Sequence, residues 1–366
     1  MSLFVGLMSG TSMDGIDAAL VDVSTHALIA GITCPYSDKA KQCLVAALKE
    51  SMPGPAVISQ LNTLLGREFA DATNKLLKMT NVSLKDVVAI GSHGQTICHD
   101  ATADIPYTVQ LGCAHTIAEL TGITVVADFR TRDLVIGGQG APFAPLYHQA
   151  MFGGSDLPLA IVNIGGIANV TFLSQTAPVS GYDIGPGNCL MDNWILKHQG
   201  LAFDADGQWA MSGKVIEPLL KKLLADPYFE SLPPKSLGKE YFSSKAFTNL
   251  LQGDYGAEDV QATLLALSAT TIANDIKKSM LPLKQVMICG GGVHNTALIE
   301  AIQFQLPKIK IESTKTLGID PDFLEAMMFA WLAERAINKI PVDFKSITGA
   351  KHLAIFGAIY AGGIDW

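Results

Sequence analysis

An apolar run at the start of the chain leads into a turn of small residues, and a second apolar run leads out of it. The second run, from Ile16 to Val23, alternates with a period that favours a strand over a helix. Together with the run that begins at Phe4, it predicts a β-hairpin. Because the tip of this hairpin is small and polar, it is the first candidate for a binding site.

The tip of the hairpin carries groups that can hold an anion. Its residues are Gly10, Thr11, Ser12, Met13, Asp14, Gly15, Ile16 and Asp17. Successive backbone N–H groups beside hydroxyls form an anion nest. Either carboxylate, Asp14 or Asp17, suits an Mg²⁺ ion bound through water. An ordinary tight turn with Ser and Asx hydrogen bonds has the same composition, so this stretch alone leaves both interpretations open.

Helical and strand-like segments alternate along the rest of the chain. Apolar residues at helical spacing predict helices over 41–49, 58–79, 113–120, 145–152, 259–280 and 296–304. Apolar runs predict strands over 87–90, 123–128, 159–164, 170–173, 179–184 and 285–289. A polar turn over 91–96 is expected after the first of these strands. A last long helix is expected to begin at Pro321 with Asp320 as its N-cap. This alternation predicts the α/β class.

The opening pattern recurs near the middle of the chain. Residues 159–164 enter a tip at Gly165 and Gly166, and 170–173 leave it. Each hairpin is followed by helices and strands in a similar order, which predicts a duplicated architecture. A small-residue stretch over 153–156 is the predicted linker between the halves.

The composition is that of a packed globular protein. A chain of 366 residues is long for a single core and predicts two domains. Hydrophobic residues make up 49% of it and charged residues 16%. The net charge of -8, with scattered basic residues, argues against nucleic acid as a partner, because phosphate backbones need clustered Lys and Arg.

The cysteines and the first residues of the chain bear on where in the cell the protein is expected. The six cysteines form no CxxC pair, and the apolar setting of Cys289 predicts a reduced thiol. No basic leader precedes the first strand, and no apolar run approaches the roughly 18 residues of a membrane helix. We therefore predict a cytoplasmic protein with no membrane association.

Three glycine turns follow apolar strands, at 10–15, 165–169 and 290–295. None fits the P-loop pattern or the dinucleotide-binding pattern, and each taken singly suits a structural turn. Together, two hairpin tips and one strand–glycine–helix turn resemble the actin-like ATPases. In that superfamily the tips hold phosphates and the glycine turn holds adenosine. Besides the first tip, the resemblance therefore implies ATP contacts at Gly165, Gly166, Gly290, Gly291, Gly292 and Asn295.

Five motifs make the resemblance more specific. They lie, in chain order, at 10–17, 92–96, 127–130, 183–188 and 290–293. In this order they resemble the anhydro-N-acetylmuramic acid kinase family over essentially the whole chain. The resemblance implies two actin-like (ribonuclease H-like) α/β domains with a cleft between them. The first would comprise 1–152 with a returning segment of about 345–366, and the second 153–344.

The resemblance also implies a reaction. The family opens the 1,6-anhydro ring of anhydro-N-acetylmuramic acid with water and transfers the γ-phosphate of ATP to O6. This gives N-acetylmuramic acid 6-phosphate in peptidoglycan recycling. ATP with Mg²⁺ and the amino sugar are then the expected ligands, and a homodimer is the candidate assembly. A base must activate water at C1, as in an inverting glycosidase, because the substrate has no free 6-hydroxyl.

The candidate residues of the sugar site are two carboxylates, one arginine and three residues of a polar motif. By motif position the resemblance makes Asp183 the base, with a cap on the following turn as its structural alternative. Arg130 suits the lactyl carboxylate of the sugar, although Asp128 or Asp133 could pair with it instead. Glu325 suits a substrate hydroxyl or a helix-end role. The motif at 92–96 adds His93, Gln95 and Thr96 as substrate-binding candidates.

The sequence also bears on a zinc site and on two other functions. The His and Cys residues near 93–115 fit no zinc template, so no protein-bound metal is predicted. An actin-like ATPase that acts as a conformational module would need no sugar site, whereas the turn at 183–188 and Arg130 point to one. A sugar-ring hydrolase without ATP would not need the three glycine turns.

Overall fold

The computed structural model describes residues 1–10, 15–49, 53–233, 235–237, 241–242, 245–251 and 253–363. The chain forms two compact units. The first comprises Met1–Tyr147 and Phe323–Trp366, and the second comprises His148–Asp322. Thr11, Ser12, Met13 and Asp14, all predicted nucleotide ligands, lie outside the described residues.

Strands and helices alternate as the α/β class requires. The strands are β1 (Leu3–Ser9), β2 (Gly15–Asp22), β3 (Ala27–Pro35), β4 (Val87–Asp100), β5 (Tyr107–Leu111), β6 (Val125–Ala127), β7 (Leu159–Ile164), β8 (Ile167–Leu173), β9 (Ser180–Pro186), β10 (Gln285–Cys289), β11 (Lys310–Ser313) and β12 (Ala358–Tyr360). The helices are α1 (Asp38–Lys49), α2 (Pro55–Thr80), α3 (Ala114–Thr121), α4 (Phe129–Val135), α5 (Ala144–Phe152), α6 (Cys189–Gln199), α7 (Gln208–Ser212), α8 (Glu217–Leu224), α9 (Lys245–Leu250), α10 (Ala257–Lys278), α11 (Thr296–Gln305), α12 (Leu324–Ile337) and α13 (Lys345–Thr348).

The first unit is built on a mixed sheet whose order is β12-β6-β4-β1-β2-β3, with β5 paired to β4. β1 and β2 are antiparallel, so the predicted opening hairpin is confirmed. β1 is parallel to β4, and β4 is parallel to β6. Side chains from the sheet and from α2, such as Val5, Leu65 and Phe69, form one buried core. The parallel strands thus end together at one edge of the sheet.

Helix α12 packs against β1 and β4 through two glycines. A Cβ on Gly6 would lie 1.7 Å from the carbonyl oxygen of Ala326, and one on Gly91 would lie 1.9 Å from that of Phe329. This close backbone approach holds α12 in the first unit. The chain therefore returns to that unit at Phe323, whereas the sequence places the return near 345 and the first boundary at 152 rather than at Tyr147.

The second unit repeats the strand order of the first. Its sheet runs β11-β10-β7-β8-β9, with β7 and β8 antiparallel and β7, β10 and β11 parallel. The core packs the sheet against α10, with Val162, Leu264 and Ile272 fully buried. The predicted duplication and the α/β class are thereby confirmed.

One predicted turn is wrong. The polar segment 91–96 does not end the strand before it, because β4 runs from Val87 to Asp100 and pairs with a strand that the sequence did not reveal, β5. Gly91 serves the close approach of α12 rather than a turn. A glycine that admits a neighbouring backbone looks the same in the sequence as one that bends the chain.

The predicted start of the last long helix is also wrong. α12 begins at Leu324, not at Pro321. The Asp320 side chain instead accepts a hydrogen bond from Asp322 N at 3.0 Å, which is an Asx-turn. Pro321 O accepts from Gly290 N at 2.9 Å, so this segment is held by the glycine turn after β10 rather than by helix formation.

A buried histidine makes the stability of the second unit depend on pH. His148 is 2% exposed, its Nδ1 lies 2.8 Å from Thr171 Oγ1, and burial lowers its pKa to about 3. The unfolded chain binds a proton below about pH 6.5 that the folded chain excludes, so stability is lost as the pH falls from there towards 3. From pH 7.5 to 5 the expected loss is about 2 kcal/mol.

Urea unfolding at both pH values measures this loss. In His148→Gln, whose amide cannot be protonated in this range, the difference between the two pH values should shrink by about that amount. An unchanged pH dependence in the variant would show that His148 does not cause it.

Candidate functional site

A buried polar network closes the base of the first hairpin tip. Ser9 Oγ lies 2.7 Å from Gly15 O and 2.8 Å from Gln95 Oε1. Tyr36 OH donates to Ser9 Oγ at 2.9 Å, and Gln95 Nε2 donates to Gly10 O at 3.2 Å. Burial raises the pKa of Tyr36, so its hydroxyl remains a donor. The network joins both ends of the tip to β4.

The network changes the role of Gln95. Predicted as a substrate ligand, it is 1% exposed, and both ends of its amide are hydrogen-bonded within the protein. It therefore anchors the tip. Thr96 is half-buried, and its Oγ1 accepts from Gln110 Nε2 at 3.3 Å. Asp17 lies in β2 and accepts from Thr33 Oγ1 at 2.6 Å.

Tyr36→Phe is expected to loosen this tip. The change removes the donor to buried Ser9 Oγ and should cost about 1–2 kcal/mol of unfolding free energy in urea. Amide exchange at Gly10 and Gly15 should become faster. Thr33→Val, which removes a hydroxyl hydrogen bond at an exposed position of β3, serves as the control. Equal effects of the two changes would contradict an anchoring role for Tyr36.

His93 and Arg130 form a hydrogen-bonded pair. His93 is 4% exposed, and its Nδ1 lies 2.8 Å from Gly94 O, which can only accept, so Nδ1 carries the proton. Nε2 is then free to accept from Arg130 Nε at 3.0 Å. Burial and the Arg130 charge hold the pKa of His93 well below its usual value, which keeps the ring neutral. His93 thus orients the guanidinium of Arg130.

Helix α12 brings Glu325 to the same region of the first unit. The Phe329 ring packs on His93 with 4.8 Å between ring centroids, and on Phe129 with 5.4 Å. Glu325 lies one turn before Phe329 and therefore on the same face of α12. Arg130 is in α4, next to Phe129. The structure therefore places His93 and Arg130 beside these two aromatic rings, with Glu325 one helical turn from Phe329.

Asp133, a suggested partner of Arg130, has hydrogen bonds elsewhere. It is fully buried and accepts from Gly140 N at 2.7 Å and from Thr348 Oγ1 at 2.8 Å. These bonds tie α13 to α4. Arg130 Nε instead donates a hydrogen bond to His93 Nε2.

Asp183 is held from three sides in β9. Its Oδ2 accepts from Leu237 N at 2.8 Å, its backbone O accepts from Tyr228 OH at 2.7 Å, and its N donates to Lys235 O at 3.2 Å. The residue is half-buried. Its carboxylate therefore contacts a segment about fifty residues further along the chain.

The second hairpin tip is fixed to the start of α6. Gly165 O accepts from Asn188 N at 2.9 Å, and Gly166 O accepts from Gly187 N at 2.9 Å and from Cys189 N at 3.1 Å. A Cβ on Gly187 would lie 2.3 Å from Gly165 O. The turn at 185–188 is therefore glycine-rich because it packs directly beneath the tip.

The glycine turn after β10 lies beside the same tip. Gly290 has φ of +77°, and a Cβ there would lie 2.1 Å from Asn163 Oδ1. Gly291 is exposed, with nothing within 4 Å of an added Cβ, so a ligand can approach its backbone. Asn295 Oδ1 caps α11 by accepting from Leu298 N at 3.0 Å. Two of the three predicted glycine turns thus meet at the end of β7.

The sequence did not predict the residues whose hydrogen bonds support the candidate site. Tyr36 and Ser9 anchor the first tip, and Tyr228, Lys235 and Leu237 hold Asp183. A Ser at the end of β1 is the only sequence feature that suggests the anchor of the first tip, and it is a weak one. No pattern in the sequence marks the second group, because its contacts join segments that are far apart along the chain.

The sheets of the two units share one strand order, and each opens on an antiparallel hairpin with glycines beside its tip. The family model of anhydro-N-acetylmuramic acid kinase matches residues 2–362. The chain belongs to the anhydro-N-acetylmuramic acid kinase family.

Relatives with that name cover nearly the whole chain. One from Legionella pneumophila (strain Paris) is 58% identical over 360 residues, 98% of each chain. One from Xanthomonas campestris pv. campestris is 46% identical over 98% of this chain and 97% of its own. One from Photobacterium profundum is 44% identical over 98% of each chain. The protein is therefore a kinase of this family, and the conformational-module alternative is not favoured.

Two further observations bear on partners and metals. None of the helices in the described part of the chain has the length and apolarity that crossing a bilayer requires. Across the described ranges, no three His, Cys, Asp or Glu side chains are grouped closely enough to hold a metal ion. The six cysteines, all among the described residues, form no disulfide, in line with the reduced thiol predicted for Cys289.

Proposed function

We propose that this kinase opens the 1,6-anhydro ring of anhydro-N-acetylmuramic acid with water and transfers the γ-phosphate of ATP to O6. The product would be N-acetylmuramic acid 6-phosphate, formed in peptidoglycan recycling. The names of the relatives support the sugar and the class of reaction. The observation that carries the ring-opening step is a half-buried strand carboxylate, Asp183, held by the Leu237 N–H.

Asp183 acts as the general base in this proposal. It takes a proton from the water that attacks C1, the C1–O6 bond breaks, and O6 accepts the γ-phosphoryl group as ADP leaves. The proton then passes from Asp183 to solvent. Capture of O6 by phosphorus removes the need for a general acid. The hydrogen bond from Leu237 N favours the charged carboxylate, which is the form that a base requires.

Arg130 and Glu325 orient the sugar in this proposal. The guanidinium suits the lactyl carboxylate, because Arg presents several N–H donors in one plane. Neutral His93 fixes that plane through Arg130 Nε. Glu325 accepts a hydrogen bond from a sugar hydroxyl. Correct orientation of C1 towards water is a large part of what such a site contributes to the rate.

MgATP is bound in this proposal by the glycine turns. The tips at Gly10 and at Gly165–Gly166 offer backbone N–H groups to phosphates, and the exposed Gly291 backbone accommodates the adenosine. The Asp17 carboxylate in β2 suits Mg²⁺, which typically takes one or two carboxylates with water and substrate phosphates. The metal would neutralise charge on the transferring phosphoryl group.

Isotope labelling tests the coupled reaction. Enzyme, anhydro-N-acetylmuramic acid and MgATP are incubated in ¹⁸O-labelled water, and the product is analysed by mass spectrometry. Label on C1 together with phosphate on O6 is the expected result. An unphosphorylated ring-opened sugar, a phosphorylated sugar with an intact ring, or no turnover would overturn the proposal.

A further inference from the structure

A cavity of about 440 Å³ lies in the second unit, away from the glycine tip. Its lining includes Phe172, Ser180, Tyr182, Lys235, Asp275 and Lys278. Phe172 pairs with Ser180 at one end of the β8–β9 ladder, whereas Ile167 pairs with Pro186 at the tip end. Tyr182 and Asp183 are consecutive in β9 and so point to opposite faces. The cavity is therefore on the other face of β9 from the Asp183 side chain.

A buried ion pair faces this cavity. Lys235 Nζ lies 3.4 Å from Asp275 Oδ2, and the two side chains are 6% and 7% exposed. The ammonium also lies 4.8 Å from the Tyr228 ring centroid and 5.4 Å from that of Tyr182. Among the described residues, Asp275 Oδ2 is paired with the Lys235 ammonium at this 3.4 Å distance and accepts no other hydrogen bond. A buried pair is costly unless further groups satisfy its donors and acceptors, and a ligand in the cavity would supply them.

The remaining lining fits a small polar molecule. A volume of this size suits a sugar-sized ligand, and the rings of Phe172 and Tyr182 offer apolar faces to a pyranose. Lys278 lies at the more exposed side, where its Nζ donates to Phe229 O at 2.9 Å and lies 3.4 Å from Glu230 Oε1. Two ammonium groups therefore stand near one cavity, together with the buried Asp275 carboxylate and the exposed carboxylate of Glu230.

We propose that this cavity binds a small hydroxylated anion, a sugar phosphate or a sugar acid. Its anionic group lies against Lys235 and Lys278, and a hydroxyl donates to Asp275 Oδ2. The aromatic rings cover one face of the carbon skeleton.

The cavity is connected to Asp183 through the backbone. Lys235 O accepts from Asp183 N, and Leu237 N donates to Asp183 Oδ2 two residues further on. Tyr228, whose ring contacts the Lys235 ammonium, donates its hydroxyl to Asp183 O. Occupation of the cavity would shift these supports and alter kcat. This coupling rests on the proposed role of Asp183, whereas binding itself does not.

Calorimetric titration without ATP tests the binding. The probes are glucose 6-phosphate, gluconate, glucose and inorganic phosphate, each up to about 10 mM. At least one of the two hydroxylated anions should bind, about tenfold or more tightly than glucose or inorganic phosphate. Binding of glucose 6-phosphate would identify the anionic group as a phosphate, and binding of gluconate would identify it as a carboxylate. The proposal is overturned if neither hydroxylated anion binds, or if glucose or inorganic phosphate binds equally well.

Charge variants locate the bound anion. Lys278→Gln should weaken binding about tenfold, whereas Lys277→Gln, an exposed neighbour outside the cavity lining, should not. Lys235→Met alone leaves Asp275 without its partner, so the double change Lys235→Met/Asp275→Leu, which replaces the pair with apolar groups, is the variant of choice. It should abolish binding while the protein stays folded by circular dichroism.

An Arg130→Gln variant separates this site from the catalytic one. Binding that persists in Arg130→Gln, is weakened in Lys278→Gln and is lost in the double variant supports the cavity, even if the labelling experiment overturns the proposed reaction. Binding that is lost in Arg130→Gln and unchanged in the lysine variants would place the anion at the catalytic site and overturn the inference.

Discussion

Asp183→Asn is expected to lower kcat by about 10²–10⁴, the usual range for loss of a general base. The amide keeps an oxygen that can accept from Leu237 N, so the fold of β9 should persist. It cannot take a proton from water at neutral pH. The rate of N-acetylmuramic acid 6-phosphate formation measures the effect, and calorimetric titration with a non-hydrolysable ATP analogue should show unchanged nucleotide affinity.

Asp259→Asn is the matched control for this variant. The Asp259 carboxylate also accepts a main-chain hydrogen bond in the second unit, from Lys214 N at 2.7 Å, but it lies in the first turn of α10. Its kcat should stay within about threefold of the parent value, because no catalytic role is assigned to it. Near-normal turnover of Asp183→Asn would remove Asp183 from the role of base.

Gly91→Ala is expected to destabilise the first unit by about 3 kcal/mol or more, because overpacking of this severity forces the backbone to move. The added Cβ would lie 1.9 Å from Phe329 O and 3.0 Å from the Ala333 side chain. α12 must then move away from β4. Since α12 carries Glu325 and the Phe329 ring against His93, kinase activity should fall together with stability. Urea unfolding and the rate of phosphorylation measure the two effects.

Gly154→Ala is the control for this substitution. A Cβ there meets nothing within 4 Å, so the change in unfolding free energy should stay within about 0.5 kcal/mol. If both glycine variants had the parent stability, the close contact between α12 and β4 would not exist as described.

Local patterns predicted most of the elements. The two hairpins follow from period-two alternation around small-residue tips, and α2 and α10 follow from apolar residues at helical spacing. The errors occurred where a local signal has two meanings. The pattern around Gly91 predicts a turn, whereas Gly91 admits α12, and the pattern at Asp320 predicts a helix cap, whereas Asp320 forms an Asx-turn.

The candidate site was only partly predictable. The resemblance of the motifs to the kinase family indicated Asp183 and the glycine turns, the chemistry of its side chain suggested Arg130, and Glu325 was indicated by a carboxylate near the start of a helix. The same motifs did not distinguish residues that bind a ligand from residues that support the site by hydrogen bonds. Gln95 belongs to the motif at 92–96, yet its amide is buried in the network at the base of the first tip.

By itself, the sequence determined the α/β class, the duplication, the kinase family and the residues suited to act on a sugar and ATP. These depend on short-range periodicity and on motifs a few residues long. The tertiary structure alone decided which unit α12 joins, how His93 orients Arg130, and that Leu237 supports Asp183 on the face of β9 opposite the Lys235–Asp275 cavity. These contacts join residues tens to hundreds of positions apart, where burial and hydrogen-bond geometry exist only once the chain has folded.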